Sequence, residues 1–484
     1  MKKIILIALV FLNIEFLSAK EISKHEIKSS IVKIFTVANN PSFRQPWTSL
    51  VKQFTGSGCI IDGDKILTNA HVVTDSTYVE VLKNGEIKRY EAEVLSISHD
   101  SDLALITVKD KSFFENTVSL TIGKLPNLQE KVTVYGFPTG GDTLSITKGV
   151  ISRIEHQRYV HSGKYLLAIQ IDAPINSGNS GGPALSNGKI VGIVMQGRKS
   201  SQSIGYIIPP SVINHFLDDM KDGKYHGYPF LGVVVQNLES PILKEMYNLS
   251  KSKYGILVNQ IIPNSPASRI LKLGDILTSI DGYKVFTNSK VEFRDQEYTD
   301  FTYPLDIHQI GDEITLEVIR DKKQISLKVK LDKNQNELML IKKRKYEKNP
   351  TYYIYGGLVF VPAINKYKIP SKYYKMFPDE KREELVLLHR VLSSELTKGF
   401  NQVGGLLMAK VNNKEFKNFN EFVSLIENSK EKYIIFEDVD NNKVVLKRED
   451  VVKKQKDILA RYNIKTSKSD DLNVVKVVSK SNKL

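Results

Sequence analysis

"INSGNSGGPAL", residues 175–185, sets glycines at 178, 181 and 182 around Ser180. Such a stretch serves as a turn, as a phosphate cradle, or as the setting of a nucleophile. A phosphate cradle needs a lysine after the glycines and a helix beyond them. Here "GGPALSNGKIVGIV" continues as alternating apolar strand, which removes that reading. A seryl nucleophile needs a base to take its proton and a third group to orient the base.

The preceding chain supplies both. "KILTNAHVV" places His71 directly after an apolar strand, and "SHDSDLALITV" places Asp102 at the head of another. Taken alone, His71 reads as a core histidine and Asp102 as a strand-end cap; their position relative to the Ser180 loop overturns both. Asp100 competes two residues earlier, but Asp102 sits at the rim of the apolar run. The order His71, Asp102, Ser180 is that of chymotrypsin-like double barrels, not of subtilisins or α/β-hydrolases. The oxyanion of a tetrahedral intermediate needs two N–H donors. Gly178 and Ser180 supply that pair when the loop curls, and glycine permits the backbone angles.

The surrounding pattern agrees. From residue 26 to 222, short β-branched runs alternate with glycine and asparagine turns, among them "SSIVKIFTV", "GSGCIID", "KVTVYGF", "LLAIQID" and "IGYIIP". Short strands at this spacing argue for an antiparallel barrel or sandwich. "PPSVINHFLDDMKDGK" (209–224) closes the region as one amphipathic helix, with proline at its start and glycine at its end. Residues 228–335 mix strands such as "FLGVVVQ" and "EITLEVIR" with a helical turn at "SPASRILK". Residues 350–455 pair "KYIIFEDVD" with "KVVLKRE" after a long charged-apolar helix expected at "DEKREELVLLHRVLSSELTKG" (379–399). Both later segments hold a strand, a short helix and an "I-D-G" or "V-N-N" turn, and read as two copies of one module. Residues 456–484 read as a polar tail. The expected fold is mainly β, a double barrel followed by two smaller α+β domains.

The chain's 484 residues exceed one ordinary core and suit about three domains. Lys2 and Lys3 precede "IILIALVFLNI", and Ala19 follows "FLS". A basic leader, an apolar run too short to span a bilayer and a small residue read as a cleaved signal over residues 1–19. Export to the periplasm follows as the expected destination. The one cysteine, Cys59, lies in the apolar run "GCII", reads as a small buried hydrophobe and forms no internal disulfide. The formal charge is +15. The lysines are spread along the chain and thicken at "IKKRKYEK" (341–348) and at the C-terminus, with no zinc spacing and no RNA-binding aromatic signature. A lysine-rich surface, with attraction to anionic membranes or acidic clients, is favoured over nucleic-acid binding. No metal site and no cofactor are implied.

"TNAHVV", "SDLALI", "GNSGGPAL" and "IGYIIP", in that order, resemble the protease domain of the HtrA/Deg serine endopeptidases. "GGDTLSITKGVISRIE" and "LLAIQIDAPINSGNSGGP" are similar to the branch that includes several plant Deg proteases. The resemblance runs on through a first PDZ domain and, more loosely, an atypical second one. It implies His71 as general base, Asp102 as its orienting partner, Ser180 as nucleophile, and a specificity pocket lined by Ile175, Met195 and Ile204 that takes small or medium aliphatic residues. Many relatives carry proline where this chain has Ser177, which implies a looser oxyanion loop here. It implies further that "NNPSFRQPWTSLVKQF" (39–54) is a regulatory loop and "EHQRYVHSG" (155–163) a sensor loop, with Arg158 either signalling or simply solvated. "PFLGVVV" resembles a carboxylate-binding loop, implying that Phe230, Leu231, Gly232 and Val233 hold a peptide C-terminus; "YGGLVFV" resembles that loop less well and suits assembly. The family implies a homo-oligomer built from trimers and quality control of unfolded proteins under stress, with a chaperone or scaffold whose proteolysis is incidental as the alternative.

Overall fold

A computed structural model describes residues 23–197, 204–249 and 251–472. The expected signal segment therefore lies outside the described residues, as do residues 473–484 of the expected tail. The protein is mostly strand, 40% against 17% helix.

A short capped helix, α1 (Lys24–Ser29), leads into β1 (Ile31–Pro41), β2 (Ser49–Ile61), β3 (Lys65–Thr68), the single turn α2 (Ala70–Val73), β4 (Ser76–Lys83), β5 (Tyr90–Ser98) and β6 (Leu103–Val108). These strands close a barrel in the order β1-β2-β3-β6-β5-β4. A second barrel closes in the order β10-β11-β12-β9-β8-β7, from β7 (Lys131–Gly136), β8 (Ser145–Arg158), β9 (Tyr165–Ile171), β10 (Pro183–Ser186), β11 (Lys189–Gly197) and β12 (Gly205–Ile208).

The near-continuous apolar runs follow from burial on both strand faces. Val32, Ile34, Ile60, Ala104 and Ile106 fill the first barrel. Their sequence neighbours Ile31, Cys59, Ile61, Leu103 and Leu105 point the other way, into a layer shared with Tyr135, Leu185 and Met195 of the second barrel. Strand alternation thus serves two cores at once, and the cleft between the barrels is where their loops meet. Cys59 is fully buried there, and burial pushes its thiol pKa up.

The helix expected at 209–224 is α3 (Pro210–Asp219), extended by one 3₁₀ turn and stopped at Gly223 with φ of 80°. The second domain holds β13 (Val233–Gln236), α4 (Pro241–Met246), β14 (Ile256–Ile261), β15 (Ile276–Ile280), β16 (Tyr283–Lys284), the hairpin β17 (Lys290–Arg294) and β18 (Glu297–Asp300), α5 (Tyr303–Asp306), β19 (Glu313–Arg320) and β20 (Lys323–Lys330). Its sheet runs β13-β14-β15-β19-β20, with β13 at the edge. After α6 (Gln335–Leu338) the third domain holds β21 (Tyr353–Tyr355), β22 (Leu358–Pro362), β23 (Val386–Val391), β24 (Leu406–Val411), β25 (Lys414–Glu415), α7 (Phe419–Glu427), β26 (Tyr433–Asp438), β27 (Lys443–Lys447) and α8 (Arg448–Arg461).

Two expectations are corrected here. The segment 379–399 is not a long helix: its centre is β23, hydrogen-bonded between β22 and β24. Glu, Leu, Lys and Arg favour helix locally, but Val386, Leu387 and Leu388 are buried in succession within the sheet, and tertiary pairing wins. Residues 456–472 are also folded, not a tail. Helix α8 crosses that position, Ile458 and Ile464 are buried, and Ile464 belongs to a core shared with Leu340 and Ile341.

Candidate active site

The turn after β3 carries the first candidate. Asn69 stands at the N-cap of α2 with extended backbone, so the chain bends and presents His71 at the barrel rim. Asp102 enters β6 in a left-handed conformation, φ 54°, with 2% of its surface exposed. Asn69 fixes that bend by donating from Nδ2 to the Asp102 carbonyl at 2.9 Å. The Asp102 carboxylate accepts three bonds from one residue: from the His71 backbone N–H at 2.9 Å, and from His71 Nδ1 at 3.0 and 2.8 Å. An ionised carboxylate only accepts, so Nδ1 carries a proton, and in the neutral ring Nε2 holds the lone pair. Burial disfavours a charged His71, but the Asp102 charge and hydrogen bond outweigh it and hold the pKa above its ordinary 6.5. Asp100 faces elsewhere and pairs with Lys343 at 3.0 Å.

Ser180 comes from the loop before β10. Gly178 has φ of 96°, and a Cβ there would lie 2.5 Å from the Phe137 carbonyl oxygen, so only glycine fits. Gly181, φ 85°, is pressed against the first barrel: its Cβ would fall 2.1 Å from Ser57 O and 2.3 Å from Thr68 Oγ1. The backbone beside Ser180 therefore touches the segment that leads to His71. Within the loop, Asn179 N donates to Asn176 O and Gly182 N to Asn179 O, while Ser180 O accepts from Ser57 N. Among the described residues the Gly178 and Ser180 N–H groups donate to no backbone acceptor, and two such unspent donors suit an oxyanion. Ser180 Oγ rests 3.5 Å from the Met195 carbonyl oxygen, a long contact that leaves it free to turn.

Sequence reasoning passed over Ser57. It is wholly buried; its Oγ donates to Gly178 O at 2.7 Å and accepts from Phe137 N at 2.8 Å. Its only signal was its place between two glycines that pack tightly, Gly56 on Val72 and Gly58 on Ile66.

Of the three expected pocket residues, Met195 is buried in the layer between the barrels, while Ile175 and Ile204 are half-buried. The side chain of Ile175 lies where a Cβ on Gly205 would be, 2.2 Å from Cδ1, so Ile175 and the start of β12 are neighbours.

A trypsin-like peptidase domain matches residues 56–193, and PDZ domains match 229–331 and 341–471. Protease Do-like 4, mitochondrial, of Arabidopsis thaliana is 38% identical over 424 residues, 86% of this chain and 80% of that protein. Protease Do-like 2, chloroplastic, of the same plant is 37% identical over 92% of this chain and 75% of that protein. The chain belongs to the HtrA/Deg family of serine endopeptidases. The solved HtrA-type protease AlgW with tripeptide shares the fold, with TM-score 0.51, 22% identity, 63% of this chain and 94% of that one.

The loops around this HtrA/Deg protease domain make contacts between domains. Residues 39–54 are mostly the hairpin of β1 and β2, paired through Pro41 and Ser49. Its tip enters the second PDZ domain, where Phe43 meets Tyr367 and Trp47 meets Tyr352, each at 6.0 Å between ring centroids. In residues 155–163, His156 makes a contact with the first PDZ domain. Its Nδ1 lies 2.7 Å from Thr299 Oγ1 and its Nε2 2.9 Å from Asp306 Oδ2, with 4% of the side chain exposed.

The expected carboxylate loop is partly corrected. The Phe230 N–H is already spent on Lys333 O at 2.8 Å. The Leu231 and Gly232 amides donate to no backbone acceptor among the described residues, and Val233 opens the edge strand β13. In the second PDZ domain the strand after Gly356 and Gly357 is β22, bonded to β21 on one side and β23 on the other. That strand has no edge to offer a peptide.

Proposed function

We propose that the protein is an exported, ATP-independent endopeptidase that degrades misfolded or damaged proteins through an acyl-enzyme. The observation that carries it is the buried Asp102 holding His71 Nδ1, beside a glycine loop with two unspent amides. In this reading Ser180 Oγ turns from Met195 to His71 Nε2, gives up its proton and attacks the substrate carbonyl. The bond from carbonyl carbon to Oγ forms, and the Gly178 and Ser180 N–H groups hold the oxyanion. His71 then returns the proton to the leaving amine, and water repeats the sequence on the ester. Asp102 stays ionised and keeps the imidazole oriented. Ile175 and Ile204, with Met195 behind them, form an apolar pocket for a small aliphatic side chain; a methylene there is worth only about 1–3 kcal/mol, so selection is broad.

The first PDZ domain captures client C-termini as a strand added to β13, with the carboxylate on the Leu231 and Gly232 amides. The second serves assembly into trimers or their multiples, since β22 is paired on both edges. Export rests on the leader. It has no arginine before Arg44 and an unbroken apolar run, unlike an arginine-rich amphipathic transit peptide; the periplasm is the proposed compartment, though several relatives are named mitochondrial or chloroplastic. Casein digestion tests the reading: wild type cuts, a serine-reactive inhibitor stops it, and Ser180→Ala does not cut. Protection of unfolded clients by an uncut, inhibitor-insensitive protein would favour the chaperone alternative.

A further inference from the structure

The segment that opens the second PDZ match lies across the protease domain beside the proposed catalytic histidine. Lys343 pairs with Asp100 at 3.0 Å and Arg344 with Asp75 at 2.6 Å; Asp75 also accepts from the Glu347 N–H at 3.0 Å. Tyr346 stacks on His99, with ring centroids 3.6 Å apart and planes 11° from parallel, and its hydroxyl donates to the His161 carbonyl at 3.3 Å. His99 Nε2 lies 3.0 Å from Glu347 Oε2, and its Nδ1 2.8 Å from His161 Nε2. The His161 ring in turn lies 6.2 Å from that of His71. The lysine-rich run is therefore no mere solvated surface. It is a strap fixed at four points to the rim of the cleft.

The strap completes a cavity of about 560 Å³ with His71 in its wall. Phe54 and Tyr346 supply aromatic walls, and the charges come from three parts of the chain: Lys52 on β2, Arg344 on the strap and Lys366 from the second PDZ domain. Asp75 is the one carboxylate in the lining, and Arg344 and the Glu347 amide already occupy it. Burial pushes the His161 pKa down to about 4, so at neutral pH that ring adds no charge. Lys52 and Lys366 are exposed and form no ion pair among the described residues. A space with unpaired cations and aromatic walls, open beside the catalytic base, attracts a carboxylate.

We infer that this cavity is a substrate subsite that takes an aspartate or glutamate side chain within a few residues of the cut bond. Lys52 and Lys366 read its charge, and Tyr346 and Phe54 hold its stem. The inference rests on the proposed triad and adds a charge preference to it; the apolar pocket for the residue before the cut is separate. Two PDZ-linked segments then act as parts of the active-site cleft, not only as tethers for clients.

The test uses the full chain and an N-acetylated, C-amidated peptide library, so that terminal charges cannot stand in for the side chain. Cut sites mapped by mass spectrometry show Asp or Glu enriched at one fixed position. Kinetic constants for matched peptides differ by about fivefold in kcat/KM between Glu and Lys at that position, the size expected of two exposed ion pairs. The double variant Lys52→Glu, Lys366→Glu reverses the preference, and added salt shrinks it. A flat profile, or a preference unchanged in the double variant, overturns the inference while casein cutting lost in Ser180→Ala still upholds the protease. A second measurement needs no turnover: Ser180→Ala binds the amidated Glu peptide more tightly than its Lys analogue, and equal binding overturns the inference.

Discussion

Ser57 Oγ donates to the Gly178 carbonyl at 2.7 Å, across the cleft between the barrels. With the Ser57 N–H on the Ser180 carbonyl at 2.8 Å, one residue of the first barrel holds both ends of the 178–180 loop of the second, which is proposed to hold the oxyanion. The barrel that carries His71 thus also sets the loop that carries Ser180.

Ser57→Ala leaves the Phe137 N–H and the Gly178 carbonyl without their buried partner. Stability falls by about 1–3 kcal/mol. The loosened loop lowers kcat by about 10- to 100-fold, less than or equal to the loss of one oxyanion donor, while KM moves little. Thermal melting and steady-state kinetics check this. An unchanged kcat in the folded variant would leave Ser57 a packing residue.

Asp102→Asn cuts kcat by about 10⁴-fold, because the amide no longer holds the imidazole in the right tautomer. Asp100→Asn changes kcat by less than about tenfold, since Asp100 serves Lys343 and the strap. The reverse order of effects would move the orienting role to Asp100.

The pH dependence has a defined sign. Burial opposes charge on His71, but Asp102 prevails and the pKa lies above 6.5, so kcat/KM rises with pH with its acid-limb midpoint above 6.5. His161 goes the other way, to about 4. Between roughly 6.5 and 4 the unfolded chain binds that proton more readily than the folded one, so the stability His161 contributes is present above 6.5 and lost as pH falls through this window. NMR titration of the two rings in Ser180→Ala checks both directions; coincident midpoints would contradict the account.

Much of this was legible in the sequence because barrel strands report their own periodicity. Ile31 and Val32, or Cys59 and Ile60, serve opposite faces of adjacent cores, and the apolar runs show it. The proposed triad could be picked out because each of its three residues stands at a strand end or beside a glycine loop, in a fixed order. Ser57, His156 and the strap were not, because a lone serine, a histidine in a polar segment and a lysine run carry no local pattern. Their partners lie far along the chain, at Gly178, Asp306, Asp75 and Asp100. The strand β23 was hidden for a related reason: its residues prefer helix until β22 and β24 flank them.

Free peptides ending in an apolar residue accelerate cutting of a separate reporter, and C-terminal amidation weakens their binding by about tenfold or more, because the charge-assisted bonds to the Leu231 and Gly232 amides are lost. Isothermal calorimetry with both forms checks this. Replacing Gly232 is a poor probe, since a Cβ there would sit 2.2 Å from that of Ser265 and would disturb the fold itself. Equal action of the two peptides would make the domain a tether for clients, not a reader of C-termini.

The central claim is that His71, held by Asp102, activates Ser180. The most direct measurement is labelling of the full chain with a fluorophosphonate, followed by peptide mapping of the adduct. The account predicts one adduct, on Ser180, formed at a rate that falls by orders of magnitude in His71→Ala and with casein cutting lost in step. An adduct on another serine, or casein cutting that persists after Ser180 is fully labelled, would contradict it.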